Sequence, residues 1–136
     1  MLDLCFAQHS AAAMAATTPI TLQAAASIGG VHTEVVSTAF ADRVFVLVTQ
    51  LRKVGNLLSA CVERGADGED IYSVSTLLGR RDDPTLAVYA RQLAQRMAEA
   101  DCRKPLLLGI ALAPRTEPSP ETFRAVMALV QRAQVW

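Results

Sequence analysis

The chain has 136 residues, enough for one compact domain and too few for two of ordinary size. Its thirteen basic and thirteen acidic residues cancel to a formal net charge of zero, which excludes the basic excess of a typical nucleic-acid binder. With 51% hydrophobic residues, 19% charged and a mean hydropathy of +0.26, it is apolar for a small domain, so either the core is large or some apolar surface is meant for a partner.

The opening stretch, MLDLCFAQHSAAAMAA, has apolar patches but no basic leader and carries Asp3, so it does not read as a signal peptide. Met14 stands in a small-residue context, MAATTP, that suits an initiator methionine. Residues 1–13 are therefore read as an optional extension, which N-terminal mass spectrometry of the native protein decides. Residues 1–19 are expected to be disordered and 20–136 to form a single domain. Apolar runs stay far below the ~20 residues of a membrane helix, so no membrane contact is expected. Cys5, Cys61 and Cys102 are odd in number and match neither a zinc spacing nor a disulfide framework. Reduced thiols in the cytoplasm, and also the nucleus, are the expectation.

From Ile20 the pattern becomes structural. ITLQAAA (20–26) is a weak strand ended by Ser27 and the Gly29-Gly30 pair, and VHTEVVSTAF (31–40) is a stronger one with Val35, Val36 and Thr38. RVFVLVTQ (43–50) is nearly continuous in apolar and β-branched residues, the mark of a strand buried on both faces. LRKVG (51–55) turns the chain into NLLSACV (56–62), and the polar loop ERGADGED (63–70) precedes IYSVSTLL (71–78), with Tyr72, Val74 and Thr76 on one side.

Asp83-Pro84 has the form of an N-cap followed by proline at the first helical position. Leu86, Tyr89, Ala90, Leu93 and Met97 then form one helical stripe that should end near Asp101. LLLGIALA (106–113) is a further buried strand. After the proline-rich loop 114–120, Ser119-Pro120-Glu121 repeats the capping pattern, and Phe123, Val126, Met127 and Val130 make a second helical stripe. The class is therefore α+β: an antiparallel sheet of about five or six strands with two main helices on one face.

A hairpin over 43–62, with Val48 facing Leu58 and Val46 facing Ala60, sorts the side chains into two faces. Val44, Val46, Val48, Leu58, Ala60 and Val62 share one; Phe45, Leu47, Thr49, Leu57, Ser59 and Cys61 share the other. Two helices can cover one face but hardly both, so a sheet-mediated dimer is expected. The aliphatic face is assigned to the helices. Phe45, Leu47, Thr49, Leu57 and Ser59 are assigned to the partner interface, and Leu47→Asp is expected to leave an unstable or aggregating monomer.

No chemistry converges in the sequence. His32 follows Gly29-Gly30 with no Cys, Asp or Ser at a catalytic or metal spacing, and reads as an exposed strand-end histidine. The glycine pairs lack any phosphate-cradling context, and Arg80-Arg81 reads as a solvated loop before a helix. Cys61 reads as a structural strand cysteine. No catalytic, cofactor-binding or metal residue is assigned.

TEVVSTAFADRVFVLVTQLRKVGNLLS (33–59), TLLGRRDDP (76–84) leading into a helix, and the terminal AQVW (133–136) together resemble the proteasome assembly chaperone 3 family over residues 20–136. TAF, VTQ, LLG and QVW are the most distinctive pieces, and their joint order carries the likeness. The resemblance implies a small α+β protein with an antiparallel sheet and no cofactor. It implies pairing with proteasome assembly chaperone 4 or with itself, and binding of α-type proteasome subunits to support α-ring assembly of the 20S core. The longer N-terminal stretch and the proline-rich 114–120 depart from the family pattern. The competing class is a small α/β scaffold module of a vesicle-trafficking or signalling complex. A small hydrolase using Cys61 or His32 ranks far behind both.

Overall fold

The computed structural model describes residues 18–81, 83–114 and 119–136. Residues 1–17 of the extension expected over 1–19, and most of the proline-rich loop, lie outside these residues. Eight elements lie among the described residues, in chain order: β1 (Ile20–Ile28), β2 (Val31–Ala39), β3 (Val44–Thr49), β4 (Asn56–Arg64), β5 (Asp70–Leu78), α1 (Pro84–Glu99), β6 (Leu106–Ala111) and α2 (Pro120–Arg132).

Both capping patterns do what their chemistry dictates. The Asp83 carboxylate accepts the Thr85 N–H and the Ser119 hydroxyl accepts the Thr122 N–H, each ahead of a proline whose missing N–H costs the helix nothing. Helix α1 stops at Glu99, where Asp101 adopts a positive φ of 62°. It buries Leu86, Tyr89, Ala90, Leu93, Ala94 and Met97, while α2 buries Val126, Met127, Leu129 and Val130. Helix α1 lies over β4, β5 and β6, and α2 over β1, β2 and β3. Tyr89 and Phe123 join the helices, with ring centroids 5.0 Å apart.

The six strands form one sheet in the order β1-β2-β3-β6-β4-β5. This corrects the expected hairpin over 43–62: β3 and β4 are not neighbours, because β6 lies between them. Strand β6 runs parallel to β3 and antiparallel to β4, so the sheet is mixed, with one parallel pairing among antiparallel ones. The cause is local. The Thr49 hydroxyl accepts the N–H groups of Leu51 and Lys53 at 3.2 and 3.1 Å, and Arg52 and Gly55 take positive φ values of 55° and 67°. The chain leaves β3 sharply enough for β4 to land one position away, and α1 then carries the chain back to the vacancy, as a parallel neighbour requires.

The division into faces survives this change, because side chains alternate along every strand whichever strand lies beside it. The rows now read Val46–Leu108–Leu58 and Val44–Leu106–Ala60. These side chains, with Val35, Val48 and Ile110, make the core beneath the two helices. Gln50 closes one end of it, donating to the Thr33 hydroxyl at 2.9 Å and accepting the Ala113 N–H at 2.8 Å.

Two expected results arise here. Gly55 sits at φ +67°, and a Cβ there would lie 2.6 Å from both the Ala111 Cβ and the Ile110 carbonyl. Gly55→Ala is expected to cost about 2 kcal/mol in urea unfolding, because the obstacle includes backbone that cannot give way. Ser37 is fully buried on the helix side, and its hydroxyl has no hydrogen-bond partner among the described residues. Ser37→Ala is expected to stabilise the protein by about 1 kcal/mol, since it removes a desolvated and unpaired polar atom.

Candidate interaction surface

Among the described residues the helices cover one side of the sheet and leave the other open. Alternation along the paired strands puts two central rows on this open side: Thr38–Phe45–Leu107–Ser59–Ser75 and Val36–Leu47–Gly109–Leu57–Leu78. Phe45, Leu47, Leu57, Leu107 and Val36 are each half-buried in the single chain, in contrast to the fully buried valines and leucines on the helix side. Leu77 and Leu78 stand 48% and 63% exposed at the top of β5.

Gly109 shapes the middle of this surface. A Cβ there would meet Leu47 Cδ1 at 3.0 Å and Val54 Cγ1 at 3.1 Å, so its absence gives both side chains room. Hydroxyls stud the apolar rows, and Thr21 and Thr38 are bonded to one another through their Oγ1 atoms at 3.0 Å. By alternation, charge reaches this side at its margins, with Glu34 held 3.1 Å from His32 at one end and Glu63 at the other.

Four of the five residues assigned to an interface from sequence, Phe45, Leu47, Leu57 and Ser59, lie half-buried on this side. Thr49 is on the same side but 6% exposed, and its hydroxyl is committed to the turn after β3. Sequence reasoning missed Leu107, Val36, Val54 and Gly109. Leu107 and Gly109 belong to a continuous apolar run in which alternation separates two faces but does not tell which one the helices cover. Val54 was hidden in a charged connection.

Elsewhere the surface offers little chemistry. His32 is exposed, and Cys61 and Cys102 are unpaired and half-buried. Among the described residues no three His, Cys, Asp or Glu side chains converge to hold a metal ion. A groove of about 300 Å³ between the helices is lined by Leu93, Met127, Val130 and Trp136, and is bridged by Arg96 donating to Gln131 at 3.3 Å. No helix among the described residues is long and apolar enough to cross a membrane.

A one-sided α+β layer with a broad apolar, hydroxyl-bearing sheet surface belongs to the class of small proteins built around a binding face. Its relatives are specific. The chain belongs to the proteasome assembly chaperone 3 family, whose family model matches residues 46–133. It is 33% identical over 129 residues to proteasome assembly chaperone 3 of Nematostella vectensis, covering 89% of this chain and 93% of the relative. The Homo sapiens protein of the same name is 32% identical over 111 residues, covering 79% and 86%. A chain from the crystal structure of a chaperone complex for yeast 20S proteasome assembly superposes with a TM-score of 0.68. It shares 14% identity and covers 83% of this chain and 97% of its own, so it shares the fold.

Proposed function

We propose that this chain is a non-catalytic chaperone for assembly of the 20S proteasome core particle. It works as half of a dimer, closing its open sheet face against proteasome assembly chaperone 4 or against a second copy of itself. The dimer binds α-type subunits, promotes α-ring formation and departs before the core matures. It acts in the cytoplasm and the nucleus, where reduced thiols such as Cys61 and Cys102 persist.

The observation that carries this reading is the half-exposed Phe45, Leu47, Leu57 and Leu107 surface in a chain of this family. Burying such a surface against a second sheet gains about 25 cal/mol per Å² of apolar area removed from water. A chaperone must also let go, so its contact with the α-type subunit is of moderate strength and is displaced as later subunits arrive.

Affinity purification from cell extract with mass spectrometry tests the reading. The expected result is recovery of α-type subunits together with the sibling chaperone. Recovery of neither overturns it, and recovery of membrane-tethering or GTPase-regulating proteins would assign the chain to a scaffold class instead.

A further inference from the structure

The sheet ends in two outer strands, and they are defended unequally. An outer strand presents a row of backbone N–H and C=O groups to any passing strand, and proteins normally blunt it with charge, proline or a bulge. Strand β5 has such devices. Its pairing with β4 shifts register between Leu57 and Leu58, Arg91 stands 5.6 Å over the Tyr72 ring, and Arg103 grips Asp70 at 2.7 and 3.3 Å. That grip also holds the Asp70 carboxyl below its ordinary range, chiefly through the hydrogen bond.

Strand β1 has none of them. Its nine residues, ITLQAAASI, include no charge and no proline, and they pair with β2 from Ile20↔Ala39 to Ile28↔Val31 without a break. Ile20 and Leu22 point to the helix side yet remain 62% and 43% exposed, because α2 does not cover that end of β1. Among the described residues nothing pairs with its outer edge.

The two ends of β1 match in kind, Ile20 with Ile28 and Thr21 with Ser27, about the small residues between them. Laid antiparallel on itself about Ala24, Ile20 meets Ile28, Thr21 meets Ser27, Leu22 meets Ala26 and Gln23 meets Ala25. Every pair keeps its face: Ile20, Leu22, Ala24, Ala26 and Ile28 stay on the helix side, and Thr21, Gln23, Ala25 and Ser27 on the open side. This is the self-complementarity a two-fold contact demands, in which each residue meets its own mirror position.

We infer that β1 is a second association surface and that its partner is β1 of another copy of this chain, antiparallel and centred on Ala24. The contact doubles the six-stranded sheet into one continuous layer, with the described helices of both copies on one side and both open faces side by side on the other. It brings the exposed Ile20 beside Ile28 of the second copy. It is independent of open-face pairing and leaves that face free.

Cysteine trapping tests it, with Cys5, Cys61 and Cys102 first changed to serine. Gln23 and Ala25 are exposed on the open side, and directly opposed residues of an antiparallel pair have Cα atoms about 4.5–5.5 Å apart, inside the disulfide range. Chains carrying Gln23→Cys mixed with chains carrying Ala25→Cys are expected to cross-link under mild oxidation at least tenfold more than either chain alone. The same cross-link is expected when Leu47→Asp is added, because the open face takes no part. Equal cross-linking by either variant alone overturns the register. Absence of cross-linking in the mixture overturns the inference, and if those chains still dimerise in a Leu47-dependent way, the open-face reading stands without it.

Discussion

Leu108→Ala is expected to destabilise the protein by about 2–5 kcal/mol, at the upper end of that range. Leu108 is 0% exposed at the centre of the middle strand β6, flanked by Val46 on β3 and Leu58 on β4. Both neighbours are held by a sheet ladder and roofed by helices, so the surroundings cannot collapse into the space left behind. The lost transfer energy then adds to the energy of an open cavity. Urea unfolding followed by circular dichroism should show a lower midpoint with an unchanged slope. Leu107→Ala, one residue away on the open side and half-buried in the single chain, is expected to cost less than about 1 kcal/mol by the same measurement at concentrations where the chain stays single. Equal losses at the two positions would contradict the division into a covered and an open side.

Leu47→Asp is expected to have the opposite profile, with a small effect on the single chain and a large one on association. Leu47 lies between Val36 and Gly109 in the middle of the open face and keeps part of its surface in water. A carboxylate there stays solvated while the chain is alone, so the isolated domain folds. The sequence alone led to the expectation of an unstable or aggregating monomer, from an unpaired charge in a dry interface; the partial exposure of Leu47 in the single chain moves the expected loss to association. Once a second sheet closes over the position, the charge is buried without a partner at a cost of about 3–5 kcal/mol, or roughly two to three and a half powers of ten in Kd. Light scattering across a concentration series measures it. Unchanged dimerisation of the variant would remove the open face from the interface, and a wild-type chain that stays folded but recovers no partner would remove the need for one.

Much of this architecture was legible before any coordinates. The two helices announce themselves by Asp83-Pro84 and Ser119-Pro120, since a side chain that accepts an orphan N–H acts within three residues of itself. The two faces of β3 and β4 were sorted correctly from a hairpin that does not exist. Alternation depends on the strand's own backbone, so Val46 and Leu58 remain on one side and Leu47 and Leu57 on the other even with β6 between them.

Other features depended on the assembled fold. Thr49 looked like an interface residue by parity, and the turn it anchors at Leu51 and Lys53 uses its hydroxyl. Gly109 had no separate reading within the buried strand 106–113, and it proved to be where Leu47 and Val54 find room.

The order of neighbours in the sheet, the parallel β3–β6 pair and the unguarded edge at β1 were likewise settled only in three dimensions. Which strands lie side by side depends on closing loops tens of residues long, and the free-energy differences among such closures are spread over the whole core instead of residing in any short segment. Secondary structure, caps and face polarity are properties of adjacent residues, and for those the chain needed nothing but its own sequence.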